Sequence, residues 1–199
     1  MAQSTDLPQM TALTGRQFTT HVSSRHHAMA GAVIALAAAQ AAALGEVCMR
    51  ITRDHLDDPS AQQQADDLID RVTEFKQQLL DLTDTDGSAI TAFVALREAG
   101  QELAGQDMLC ALPVDMGELA FQGASALQAF RPLVIDQVHD DLEMALTLLT
   151  GATQACTLLL DSNLRIWPDP ALIAKYEPLR ASLEANARQL TPVARLRAP

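Results

Sequence analysis

Positive charge is scarce in this chain: 14 Lys and Arg stand against 25 Asp and Glu, a formal net charge of −11. That balance excludes a phosphate-backbone partner, because nucleic-acid binding draws its affinity from clustered cations. The one basic group, Arg188, Arg195 and Arg197, decorates the C-terminal tail. Aromatic residues make up only 4% of the chain, and Ala and Leu dominate a hydrophobic content of 48%. No segment alternates apolar and polar residues with period two, so a sheet is not expected. Cys48, Cys110 and Cys156 are widely spaced and lie in apolar surroundings. Without CxxC or Cys/His spacing they read as reduced core thiols, and none of the five histidines has a Glu three residues before it. No metal is therefore expected. GxGxxG, GxxxxGK, GxSxG and HExxH are all absent, which removes the dinucleotide, P-loop, serine-hydrolase and zincin classes.

What is present is a long alanine-rich run, AMAGAVIALAAAQAAALGEVCM, from Ala28 to Met49. It carries no charge between Ala28 and Gly45. Alanine has the best helix propensity and a small flat surface, so this stretch reads as a central helix buried on all sides. Its length also suits a membrane span. Alanine is only marginally apolar, Gln40 sits mid-run and no second long segment is evident, so a core helix is preferred and no membrane is expected. The opening MAQSTDLPQM lacks a signal peptide's cationic start and apolar core, and the protein is expected in the cytoplasm.

The rest of the chain reads as helices separated by turn residues. A short helix is expected from Gly15 to Val22, with the serines of SSRHH capping the central helix. DHLDDPSAQ is a connecting loop. Leu68, Val72, Phe75, Leu79 and Leu82 form the seam of an amphipathic helix. TDTDG is expected to interrupt it, with Asp84 or Asp86 capping a new helix to about Leu103. After AGQD and Leu112-Pro113 another helix runs to Pro132, where a kink or break is expected. The pattern resumes from Leu133 to Leu160. SNLRIWPDP is a loop, and Asp169-Pro170 opens a last helix that Pro178 bends.

The fold class is thus all-α: an antiparallel bundle of six or seven helices around the alanine-rich one. One domain over 1–199 is expected, with loose tails at 1–13 and 192–199. A central helix so poor in large side chains favours close helix contact between subunits, hence a homodimer.

Four groups carry possible chemistry, each with a plainer reading. His26 and His27 precede the positive end of the buried helix, where an anion is held, or are surface loop residues. Asp84 and Asp86 make a carboxylate pair with one raised pKa, or a helix cap. Asp140 and Asp141 read as a solvated face. Trp167 beside Pro168 stacks on a planar ligand or simply packs.

Further pieces follow in order along the chain. A short helix bearing Phe18 and a small-residue loop open the alanine-rich helix; Asp86 and Ala89 stand as Asp-x-x-Ala after the amphipathic helix. Ala120, Gln122 and Ala124 precede Pro132-Leu133, Asn163 stands six before Asp169, and Asn186-Ala187-Arg188 closes the set. In this layout the chain resembles the formiminotetrahydrofolate cyclodeaminase and methenyltetrahydrofolate cyclohydrolase family. Members carry a proline and a triple glycine with serine at the head of the buried helix, where this chain has Ala30-Gly31-Ala32. The lysine they carry past Asp-x-x-Ala is Gln101 here, and an arginine before the Gln helix is missing.

The resemblance implies an all-helical homodimer acting on the one-carbon bridge of a reduced folate, or a related pterin, with no permanently bound cofactor. It implies Asp86 and Asp169 as acid and base, and Gly31, Asn163 and Asn186 as substrate contacts. His26 and His27, which are not family positions, are expected to replace lost polar contacts. Methenyltetrahydrofolate cyclohydrolase is the favoured activity. The alternative is a non-catalytic homologue serving as a partner subunit or small-molecule binding protein.

Overall fold

The structure, a computed structural model, describes residues 9–197. Six α-helices follow one another: α1 (Gly15–Ser23), α2 (Ala30–Arg53), α3 (Pro59–Glu98), α4 (Glu102–Phe130), α5 (Asp136–Ile166) and α6 (Pro170–Ala187). Single 3-10 turns lie at Met10–Ala12 and Arg131–Leu133, and no strand occurs among the described residues. The bundle is all-α.

The alanine-rich α2 lies at its centre, packed against α3, α4 and α5. Ala32, Ala35 and Ala42 are fully buried, and Gly45 lets α4 come close: a Cβ there would lie 2.6 Å from both terminal carbons of Leu127. Glu46, the first charge after the run, is buried and bonded by Lys76 of α3 at 2.5 Å. Burial is not complete on every side, however. Val33, Val47 and Ile51 form an open stripe on α2, and Met144, Leu148 and Leu158 form another on α5. The two helices run antiparallel, since the Ile135 amide at the start of α5 donates to Thr52 at the end of α2. α5 as well as α2 is long and apolar enough to cross a membrane, although just over half of each is buried within the bundle. A second long apolar segment therefore exists, where none beyond the alanine-rich run was expected.

Four boundaries differ from expectation, the first being the end of α5, which runs on to Ile166, so that the SNLRI part of the expected loop is helical. TDTDG does not interrupt the amphipathic helix, and α3 continues for 40 residues. Thr83, Thr85 and Ser88 turn their hydroxyls back onto carbonyls of the preceding turn, and neither Asp84 nor Asp86 caps its own helix. Asp84 instead accepts from Thr11 N and Oγ1, at 2.9 and 2.6 Å. α4 begins at Glu102, and Pro113 lies inside it. The serines of SSRHH do not cap α2, whose N-cap residue Met29 provides no side-chain acceptor. The break at Pro132 and the Asp169-Pro170 start of α6 fall where expected.

The tails are held where they are described. Met10 is 2% exposed and packs on Gly87, where a Cβ would sit 2.4 Å from its Cγ. At the other end, Arg131 donates to the Thr191 carbonyl and Val193 N to the Glu143 carboxylate. Residues 1–8 and 198–199 of the expected loose tails lie outside the described residues.

Candidate functional site

The first turn of a helix carries amide donors with no partner inside the helix, and its dipole attracts negative charge. With no acceptor from its own flank, α2 receives one from α3: Asp86 Oδ2 accepts the Ala32 N–H at 2.6 Å. Gly31 makes the approach possible. A Cβ at that position would lie 2.1 Å from Asp86 Oδ1 and 2.4 Å from its Cγ, so any side chain would expel the carboxylate.

Two opposed effects set the proton affinity of Asp86. Burial disfavours the charged form and pushes its pKa up; the Ala32 amide and the charge of His27 pull it back. Burial wins, and the group holds its proton above the usual carboxylate range. Beside it, burial and the Asp86 charge push the Cys156 thiol up to about 12, so that sulfur is no nucleophile. Among the described residues no Lys or Arg pairs with Asp86.

Asp86 opens into a cleft of about 300 Å³. His27, Met29 and Gly31 form its rim at the head of α2, while Ile90, Leu109 and Leu159 supply an apolar wall. Asn163 and Trp167, from the end of α5, face them across the space. The Trp167 ring meets Phe93 of α3 at 5.5 Å between centroids, and the Arg97 guanidinium lies over the Phe93 ring at 5.9 Å. Asn163 Nδ2 donates to the Leu109 carbonyl at 2.8 Å. Apolar walls, few polar groups and one carboxylate with a raised pKa are the makings of a small-molecule site.

Larger surface grooves lie elsewhere. One of about 750 Å³ runs between α5 and the C-terminal tail, but its buried carboxylate, Glu143, is already paired with Arg131. An acidic groove of about 560 Å³ between α3 and α4 gathers Glu74, Asp81, Asp115 and Glu118, with no helix N-terminus facing them. The smaller cleft is the chemically equipped one.

A family model described as formiminotransferase-cyclodeaminase matches residues 14–179. The chain belongs to the formiminotransferase-cyclodeaminase family. Its fold matches the 2.80 Å crystal structure of formiminotetrahydrofolate cyclodeaminase from Thermotoga maritima, with a TM-score of 0.81 at 18% identity. The match covers 90% of this chain and 92% of that one. Comparison with curated protein sequences gives no match.

In this member of the formiminotransferase-cyclodeaminase family the residues singled out from sequence do not all meet. Asp86, His27, Gly31 and Asn163 line one cleft. Asp169 does not: its carboxylate caps α6, accepting from Ala171 N at 2.8 Å and Leu172 N at 3.2 Å. Asn186 lies at the far end of α6 beside Gln189, and His26 is exposed in the α1–α2 connection, outside the cleft lining. Sequence reasoning gave Trp167 a stacking role only as one of two readings and did not single out Ile90, Leu109 or Leu159. The last three carry no local signal, being apolar residues on apolar helix faces.

Proposed function

We propose that this protein is a cytoplasmic one-carbon enzyme that hydrolyses the methenyl bridge of a reduced folate or related pterin. One observation carries the reading: a desolvated carboxylate, Asp86, sits against the amino end of α2 inside a largely apolar cleft that Trp167 lines. The folate class comes from the family and from the name of the structural neighbour. The bridging carbon of a methenyl substrate is cationic, and an ionised Asp86 stabilises it and orients a water molecule. Asp86 takes one proton as the water oxygen bonds to carbon. It then returns that proton to the departing nitrogen as the carbon–nitrogen bond breaks, while the hydroxyl's remaining proton passes to solvent as the carbonyl forms, leaving a formyl group. Trp167, which lines the cleft, packs against the planar ring, and Asn163, anchored through its amino group, keeps its carbonyl oxygen as an acceptor. The same carboxylate serves the related cyclisation that releases ammonia, where a proton donor is needed. Cyclohydrolysis is favoured here because it requires one proton relay and no second acid, and Asp169 is engaged as a cap.

The exposed apolar stripes on α2 and α5 support a homodimer, as surfaces of this kind are seldom left open on a monomer. Methenyltetrahydrofolate absorbs in the near ultraviolet and its hydrolysis product does not. Purified protein should accelerate the decay of that absorbance. Decay at the buffer rate overturns the proposal, and saturable binding without decay gives the non-catalytic homologue in its place.

A further inference from the structure

Proline inside a helix removes the N–H that would bond the carbonyl four residues back. In α4 that proline is Pro113, and the carbonyl deprived of its helical donor belongs to Leu109. Leu109 lines the cleft. The Nδ2 group of Asn163, arriving from α5, donates to this same carbonyl at 2.8 Å. A primary amide has a donating nitrogen and an accepting oxygen, so committing the nitrogen fixes which end is left. Asn163 also lines the cleft.

We infer that Pro113 is a positioning residue for the cleft: it exposes the Leu109 carbonyl, which captures the Asn163 amino group and leaves the Asn163 carbonyl oxygen as a preset acceptor. Building on the functional reading above, the acceptor selects substrates that present an N–H, and so reads the protonation state of a ring nitrogen. The proline spends helix stability to fix a side chain on another helix. Restoring the missing N–H should therefore strengthen α4 and loosen Asn163.

Pro113→Ala tests this with a readout independent of turnover. In the parent protein the two Asn163 side-chain amide protons, assigned by their loss in Asn163→Ala, should exchange slowly with solvent. In Pro113→Ala the new backbone amide at 113 should be protected in their place, the melting temperature should rise, and the Asn163 protons should exchange at least about tenfold faster. With methenyltetrahydrofolate, KM should rise about tenfold in Pro113→Ala and in Asn163→Ala, with kcat changed far less. The double variant should show no further rise. Unchanged Asn163 amide resonances and exchange in Pro113→Ala would overturn the inference. An Asn163→Ala variant that handles the folate like the parent would instead count against the folate reading of the cleft, while the exchange measurement still decides the role of Pro113.

Discussion

Gly31→Ala is the smallest change that probes the geometry of the cleft. The added methyl would lie 2.1 Å from Asp86 Oδ1, whereas an ordinary contact needs about 3.5 Å, so the carboxylate must retreat by more than about 1 Å. The Ala32 N–H bond, 2.6 Å long, does not survive that displacement. A hydrogen bond to a charged group contributes about 1.5–3 kcal/mol, and replacing glycine with alanine in a helix returns about 0.5–1 kcal/mol. The net loss is about 1–2 kcal/mol, or roughly 2–8 °C in melting temperature for a chain of this size. Displacing a reacting group by about 1 Å costs about a hundredfold in rate. Thermal unfolding and the absorbance assay read the two effects separately. The double variant Gly31→Ala, Asp86→Ala removes the clash and should regain most of the stability without regaining turnover. A Gly31→Ala protein that melts and turns over like the parent would refute the claim that this glycine exists to admit the carboxylate.

Burial raises the pKa of Asp86 above its unfolded value of 3.8, so the native state holds this proton more tightly than the unfolded chain. Its contribution to stability is fully present below that value and is lost as pH rises through the folded pKa. Asp86→Asn should therefore melt at or above the parent temperature at pH 7, with the difference fading in melts near pH 3.5. Arg131→Ala strands Glu143, which is 1% exposed, and should cost about 3–5 kcal/mol in urea unfolding while leaving kcat unchanged. Leu158→Arg places a charge on the open apolar face, where the side chain is 70% exposed in one chain. Light scattering should show this variant as a monomer if the parent is a dimer; an unchanged mass would remove this face from the interface.

The legible parts of this fold are those whose causes are local. The alanine run, the break at Pro132 and the Asp169-Pro170 start of α6 each follow from residues adjacent in sequence. The continuity of α3 was hidden because its aspartates serve distant donors: Asp84 bonds Thr11, and Asp86 bonds Ala32. A capping residue looks the same in sequence whether it caps its own helix or another. Asp169 shows the reverse case. Its place before Pro170 already explained it as a cap, and only the family motif lifted it toward the cleft. Asn163 was found by that motif too, but its anchor was not, since the Leu109 carbonyl it holds is freed by a proline on another helix. Incomplete burial of α2 was likewise illegible, because alanine suits a helix neighbour within the chain and one from a second copy equally well.

In the proposed reaction Asp86 is the group that moves the proton. Its most direct test compares wild-type protein with Asp86→Asn, measuring both methenyltetrahydrofolate binding and the single-turnover decay of its absorbance. Asparagine keeps the shape and the acceptor for Ala32 but cannot take a proton, so binding should persist while the rate falls about a hundredfold or more. An Asp86→Asn protein that opens the methenyl bridge at the wild-type rate would contradict the account.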